Sequence, residues 1–162
     1  MTVLASDTVD DPHKWQFTVR SVVCGKPLDR AVMAYAADSV GAPTARPAPE
    51  PGKQFCVLTM DALNVGKSMA SWGADSRVSL NVADTRYTMS QKDADYATNY
   101  AQYWNSRGQT GPSFGLNPGS RGPVHAVFQI PAASNPSSIW ITAGTAIKTI
   151  DGVQPGYLVV LT

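Results

Sequence analysis

Residues 54–64, QFCVLTMDALN, alternate over their whole length. Phe55, Val57, Thr59, Asp61 and Leu63 fall on one side; Cys56, Leu58, Met60 and Ala62 fall on the other. A period of two belongs to an extended strand, because successive side chains leave the backbone on opposite faces. One side is apolar throughout, whereas the other starts apolar and turns polar at Thr59 and Asp61. This pattern predicts a central strand with one face in a core and the other partly covered. The Asn64-Val65-Gly66-Lys67 that follows is a turn signal.

The same period recurs along the chain. In WQFTVRSVVC, Trp15, Phe17, Val19, Ser21 and Val23 are expected on one face, and the run ends at Cys24-Gly25-Lys26-Pro27. Arg77–Val82 and Arg86–Met89 flank Ala83-Asp84-Thr85 at hairpin spacing. The corner Asn117-Pro118-Gly119 leads into Val124, Ala126, Phe128 and Ile130, which alternate with His125, Val127 and Gln129 until Pro131. Ser138–Thr142 and Tyr157–Leu161 complete the set. Thirteen glycines and twelve prolines in 162 residues supply the turns. The expected fold is therefore all-β, an antiparallel β-sandwich of about seven to nine strands.

Three stretches interrupt the alternation. Residues 28–40, LDRAVMAYAADSV, lack β-branched enrichment and read as a short helix or an irregular excursion. Residues 41–53 carry Pro43, Pro47, Pro49 and Pro51, which predicts an extended, exposed connection. Residues 91–113 show no strand period; near 91–107 a short helical or irregular excursion is expected. Residues 1–13, acidic and polar, read as a flexible lead-in, leaving 14–162 as a single domain.

A formal net charge of +1 offers no field for nucleic acid or an anionic membrane. No run approaches the ~20 apolar residues of a membrane-spanning helix. The first residues lack the apolar centre of a secretory signal. Cys24 and Cys56 both sit in expected strands. As a disulfide they would close a loop of about 33 residues and contribute roughly 3–4 kcal/mol; as free thiols they would be small buried hydrophobes. Without CxxC spacing, metal binding and thioredoxin-like chemistry are disfavoured.

A strand ending in Cys-Gly, a proline-rich gap, PGKQFCVLTMDALNVG and a distal LNPGSRGPVHAVFQIP together resemble a family of telokin-like, immunoglobulin-like domains. Those domains, of unknown function, occur in Gram-positive lipoproteins and secreted proteins. The matching landmarks are Pro118-Gly119 and the Phe128, Ile130, Pro131 exit, and the likeness spans roughly residues 15–162. It implies an immunoglobulin-like two-sheet sandwich, an extracytoplasmic setting and, as in actinobacterial members, a Cys24–Cys56 pairing. Small secreted mycobacterial immunoglobulin-like antigens are more distantly similar in architecture. The chain departs from the family in having no lipobox and an unusually aromatic 91–113 segment.

Candidate chemistry is sparse. A metal site or Ser-His-Asp triad would have to use His125, since His13 lies in the lead-in. His125 is expected to be a polar position facing away from the core. Asp93 and Asp95 are expected to be solvated loop charge, and Gly111, Gly115, Gly119 and Gly122 do not open a helix as a phosphate loop does. No cofactor, metal or catalytic residue is expected. The candidate binding surface is Tyr96, Tyr100, Tyr103, Trp104 and Arg107, residue types favoured at recognition surfaces. If the segment is helical, its aromatics fall at i, i+4, i+7 and i+8, a stripe that would equally pack on a sheet. The sequence thus points to a non-catalytic extracytoplasmic module binding a protein or cell-envelope partner. The alternative is a virion attachment or decoration domain, with an enzyme third. It says nothing about oligomeric state.

Overall fold

In the computed structural model the chain is described over residues 2–6, 14–75, 77–142 and 156–162. Among the described residues, eight strands form two antiparallel sheets. The first sheet runs in the order β1 (Thr2–Ser6), β2 (Lys14–Cys24), β3 (Lys53–Asn64) and β6 (Arg121–Pro131). The second runs β5 (Thr85–Tyr87), β4 (Val78–Val82), β7 (Ser138–Thr142) and β8 (Gly156–Val160). The two make a β-sandwich, and β3 is central in its sheet as its two-sided pattern requires.

The inner faces meet in one core. Trp15 and Phe17 from β2, Leu58 and Met60 from β3, and Phe128 and Ile130 from β6 pack against Leu80, Ile139 and Ile141 of the second sheet, all of them fully enclosed. Trp72, from the connection after β3, inserts into this core with its ring centroid 4.5 Å from that of Phe17. Each such aromatic removes on the order of 150–250 Å² from water, so Trp15, Phe17, Trp72 and Phe128 contribute much of the burial in this core.

Two features depart from the sequence reading of β1 and β2. The lead-in was expected to be flexible through residue 13, yet Thr2–Ser6 pairs antiparallel with Lys14–Thr18 as an edge strand. Its backbone finds ladder partners on a strand whose other edge is already taken by β3. Residues 7–13 lie outside the described residues. In β2 the pairing with β3 slips between Val19 and Ser21, a bulge that leaves Arg20 unmatched. The slip reverses the faces beyond it. Val22 and Cys24 turn towards the core and Val23 is left 42% exposed, against the expected grouping of Ser21 and Val23 with Trp15.

The irregular stretches are largely helical. Asp29 caps α1 (Arg30–Ser39), its carboxylate accepting from the Ala31 and Val32 N–H groups at 2.8 and 3.1 Å. Ser90 caps α2 (Gln91–Ser106) by accepting from the Asp93 N–H at 3.1 Å. Both helices cover the outer face of the first sheet. Leu28 just before α1, Val32 and Met33 of α1, and Ala97 and Tyr100 of α2 enclose Phe55 and Val127 in a second, smaller core. The molecule therefore has three layers: sheet, sheet and a helical layer.

The chain entering β6 is held tightly. Asn64, fully buried, donates from its side chain to the Leu116 and Ser68 carbonyls and accepts from the Gly66 N–H. At the Asn117-Pro118-Gly119 corner, the Ser120 N–H donates to the Asn117 carbonyl at 3.0 Å and Gly119 takes φ +79°. Proline then glycine at the two central positions is what such a turn demands. At Gly122 any Cβ would lie 1.9 Å from the Thr110 carbonyl oxygen, so only glycine lets segment 110–112 cross the start of β6.

Candidate binding site on the helical layer

The outer face of β3 and β6 supplies the floor of this layer. Register places Thr59 opposite His125, Val57 opposite Val127 and Phe55 opposite Gln129. Gln129 ties the floor to what lies above: its amide donates to Asp93 at 2.9 Å, and its carbonyl oxygen accepts from the Glu50 N–H at 2.7 Å. Asp93, expected as solvated loop charge, is instead 3% exposed on the first turn of α2. The reason is that the segment is helical and its third residue turns inward, where Gln129 satisfies the carboxylate.

The aromatic stripe of α2 lands on this floor and divides between two roles. Tyr100 is buried; its ring stacks on His125 with centroids 4.9 Å apart, and its phenolic oxygen accepts from the Asp29 N–H. Tyr96 is partly buried, edge-on to Phe55 at 5.9 Å. Trp104 lies parallel to the His125 ring at 6.5 Å. Tyr103, half-buried against the same small core, meets Tyr35 of α1 edge-on at 6.0 Å and Trp104 at 5.3 Å. The Arg107 guanidinium sits 5.0 Å above the Tyr103 ring.

His125 does face away from the sandwich core, as the alternation requires. It is not an open surface position, because α2 roofs it. Burial holds its pKa well below the ordinary 6.5, to about 4, against the smaller opposing pull of Asp29 and Asp61. The ring is therefore neutral near pH 7. Sequence reasoning treated the strand and the helix separately; the helix stripe at i, i+4, i+7 and i+8 was the available signal that one covers the other. Tyr35, held against Tyr103, was also missed, since α1 carries no aromatic stripe of its own.

Cys24 and Cys56 are joined in a disulfide between directly opposed residues of β2 and β3. The bond closes the loop that carries α1 and the proline-rich connection. Among the described residues no cluster of three or more His, Cys, Asp or Glu side chains could hold a metal ion. No described helix is long and apolar enough to cross a membrane.

Beside α2 runs a groove of about 350 Å³, bordered by residues 72–75, 112–114 and the β6 positions 123–125. Ala94, Ala97 and Ala101 form its helical wall, and their small side chains leave the space open. His125 reaches it from the floor, and Phe114, 48% exposed, stands at its edge.

No protein-family model matches the chain, and no curated protein matches it in sequence. Solved structures do share its fold. The secreted protein MPT63 of Mycobacterium tuberculosis is 14% identical with a TM-score of 0.53, over 90% of this chain and 86% of its own. A conserved hypothetical protein of Bacillus anthracis is 15% identical with a TM-score of 0.53, over 96% of each chain. The yjhA protein of Bacillus subtilis is 16% identical with a TM-score of 0.51, over 100% of this chain and 97% of its own. At such identities the likeness concerns the fold.

Proposed function

We propose that the protein is a non-catalytic, extracytoplasmic immunoglobulin-like binding module of the telokin-like kind, recognising a protein or cell-envelope partner through its helical layer. The observation that carries this reading is the array Tyr35, Tyr103, Trp104 and Arg107 on the outside of α1 and α2. Rigid rings with a stacked guanidinium give contact area at small entropic cost, since little rotamer freedom remains to be lost on binding. Tyr100 and Tyr96 support the array from below, so recognition falls to the outer members. The disulfide supports an oxidising compartment. The shared fold of the secreted MPT63 points the same way.

Site-directed photo-crosslinking in the producing cell tests the surface. A benzophenone side chain at position 103 is expected to capture a discrete partner band, lost on Arg107→Ala. The same probe at position 86, where Arg86 lies over Trp140 on the far sheet, should capture none. Equal capture from both faces, or none from position 103, would sink the reading. Alkylation of natively isolated protein under non-reducing, denaturing conditions tests compartment: two reactive thiols would count against an extracytoplasmic setting.

A further inference from the structure

The groove beside α2 holds an unexplained pair of polar atoms. His125 Nδ1 and Trp72 Nε1 are both buried, and among the described residues neither has a hydrogen-bond partner. Both residues line the same groove. An indole nitrogen can only donate, whereas a neutral imidazole offers one donor and one acceptor. Burying such groups unsatisfied costs on the order of 1–3 kcal/mol each; of the three such nitrogens among the described residues, Trp15 Nε1 lies in the sandwich core, and the other two belong to residues that border this one groove. The His125 ring also stacks against Tyr100 and lies parallel to Trp104, contacts that favour one ring orientation.

The rest of the lining narrows the class. Its charged members are Asp75 and Asp95, and it contains no lysine or arginine. An anionic ligand would meet like charge with no counter-charge, and phosphate or carboxylate groups are thereby disfavoured. Gln102, Thr98 and Ser113 offer amide and hydroxyl groups that both donate and accept. Phe114 adds a half-exposed flat ring at the rim, suited to the C–H face of a ring-shaped ligand. The volume lies at the small end of the range for small-molecule sites.

We propose that this groove binds a neutral, hydroxyl-rich ligand of saccharide size, with His125 and Trp72 supplying hydrogen bonds at its base and Phe114 stacking at its rim. The site is separate from the Tyr103 and Arg107 surface and stands or falls independently of it.

The test is a titration of the full chain, labelled with nitrogen-15, with cellobiose, maltose and N,N′-diacetylchitobiose, and with ethylamine and inorganic phosphate as charged comparators. The Trp72 indole signal, assigned by its loss in Trp72→Phe, and the His125 ring signals report on the base of the groove. At least one neutral saccharide is expected to shift both saturably. Gln102→Ala with Phe114→Ala, both exposed positions, should weaken that binding about tenfold or more while leaving the thermal midpoint in place. No saturable shift with any of the three saccharides would overturn the proposal. So would a response to ethylamine or phosphate alone, or saccharide binding unchanged in the double variant.

Discussion

The Tyr100 phenolic oxygen accepts a hydrogen bond from the Asp29 backbone N–H at 2.9 Å, joining two residues 71 positions apart. Asp29 is at the same time the N-cap of α1, so the start of one helix is fixed by the middle of the other. The two helices are thereby tied to each other over β3 and β6. Burial pushes the Tyr100 phenol above its ordinary pKa, so it remains protonated across the physiological range.

Tyr100→Phe keeps the stack on His125 and removes only the acceptor for Asp29. The expected loss is about 1 kcal/mol, the usual net worth of a hydrogen bond. Tyr100→Ala also empties a buried aromatic site and should cost roughly 3–5 kcal/mol. Urea unfolding of the three proteins checks the ladder; a Tyr100→Phe variant as damaged as Tyr100→Ala would mean that the hydrogen bond dominates.

His125 makes stability depend on pH in a defined direction. Its folded pKa of about 4 lies below the ordinary 6.5, so the unfolded chain takes up a proton first as pH falls. Stability should be full above about pH 6.5, decline between about 6.5 and 4, and gain no further loss from this group below that. The whole span corresponds to at most roughly 3 kcal/mol. His125→Phe retains a ring under Tyr100 and cannot titrate, so its stability should be flatter between pH 6.5 and 5. Identical slopes for the two proteins in denaturant unfolding would refute the assignment.

The disulfide should matter most to the excursion that it closes. Cys24 and Cys56 are 32 positions apart, and the closed loop carries α1. Replacing both by Ser releases that loop in the unfolded chain, for an expected cost of about 3–4 kcal/mol. Hydrogen exchange should show the amides of α1 losing protection before those of β3 and β6, because α1 is held by fewer buried side chains. Uniform loss across the sandwich would argue against a local role.

The strands were legible because their signal is local. Alternation in 54–64 and 124–130 and the Pro118-Gly119 corner are properties of a few neighbouring residues, and they reappear as β3, β6 and the turn before β6. The bulge at Arg20 was not legible, because a register slip is decided by the partner strand: the residues beyond Arg20 follow β3, with Cys24 drawn opposite Cys56. The surroundings of His125 were illegible for a related reason. Its neighbours Tyr100 and Trp104 come from a helix 21 to 25 residues upstream, and alternation reports a face without reporting what covers it. The groove has a sequence trace in Ala94, Ala97 and Ala101, but small residues on a helix ordinarily mark close packing.

The hairpin between β4 and β5 contains the remaining mismatch between residue and conformation. Its two-residue connection is Ala83-Asp84, and Ala83 adopts φ +48°, the one non-glycine residue at positive φ among those described. Hairpin turns with positive φ at this first central position favour Gly, because a Cβ there crowds the following backbone. Ala83→Gly removes that crowding, while it also frees the unfolded chain, which offsets part of the gain. The net expectation is a stabilisation of about 0.5 kcal/mol or more, with Ala83→Val destabilising because its branched side chain tolerates positive φ still less. Ala83 is exposed, so neither change touches the core and the difference reads the backbone alone. Thermal unfolding of the three proteins gives the order Gly above Ala above Val; the reverse order would mean that the turn relaxes to another conformation in solution.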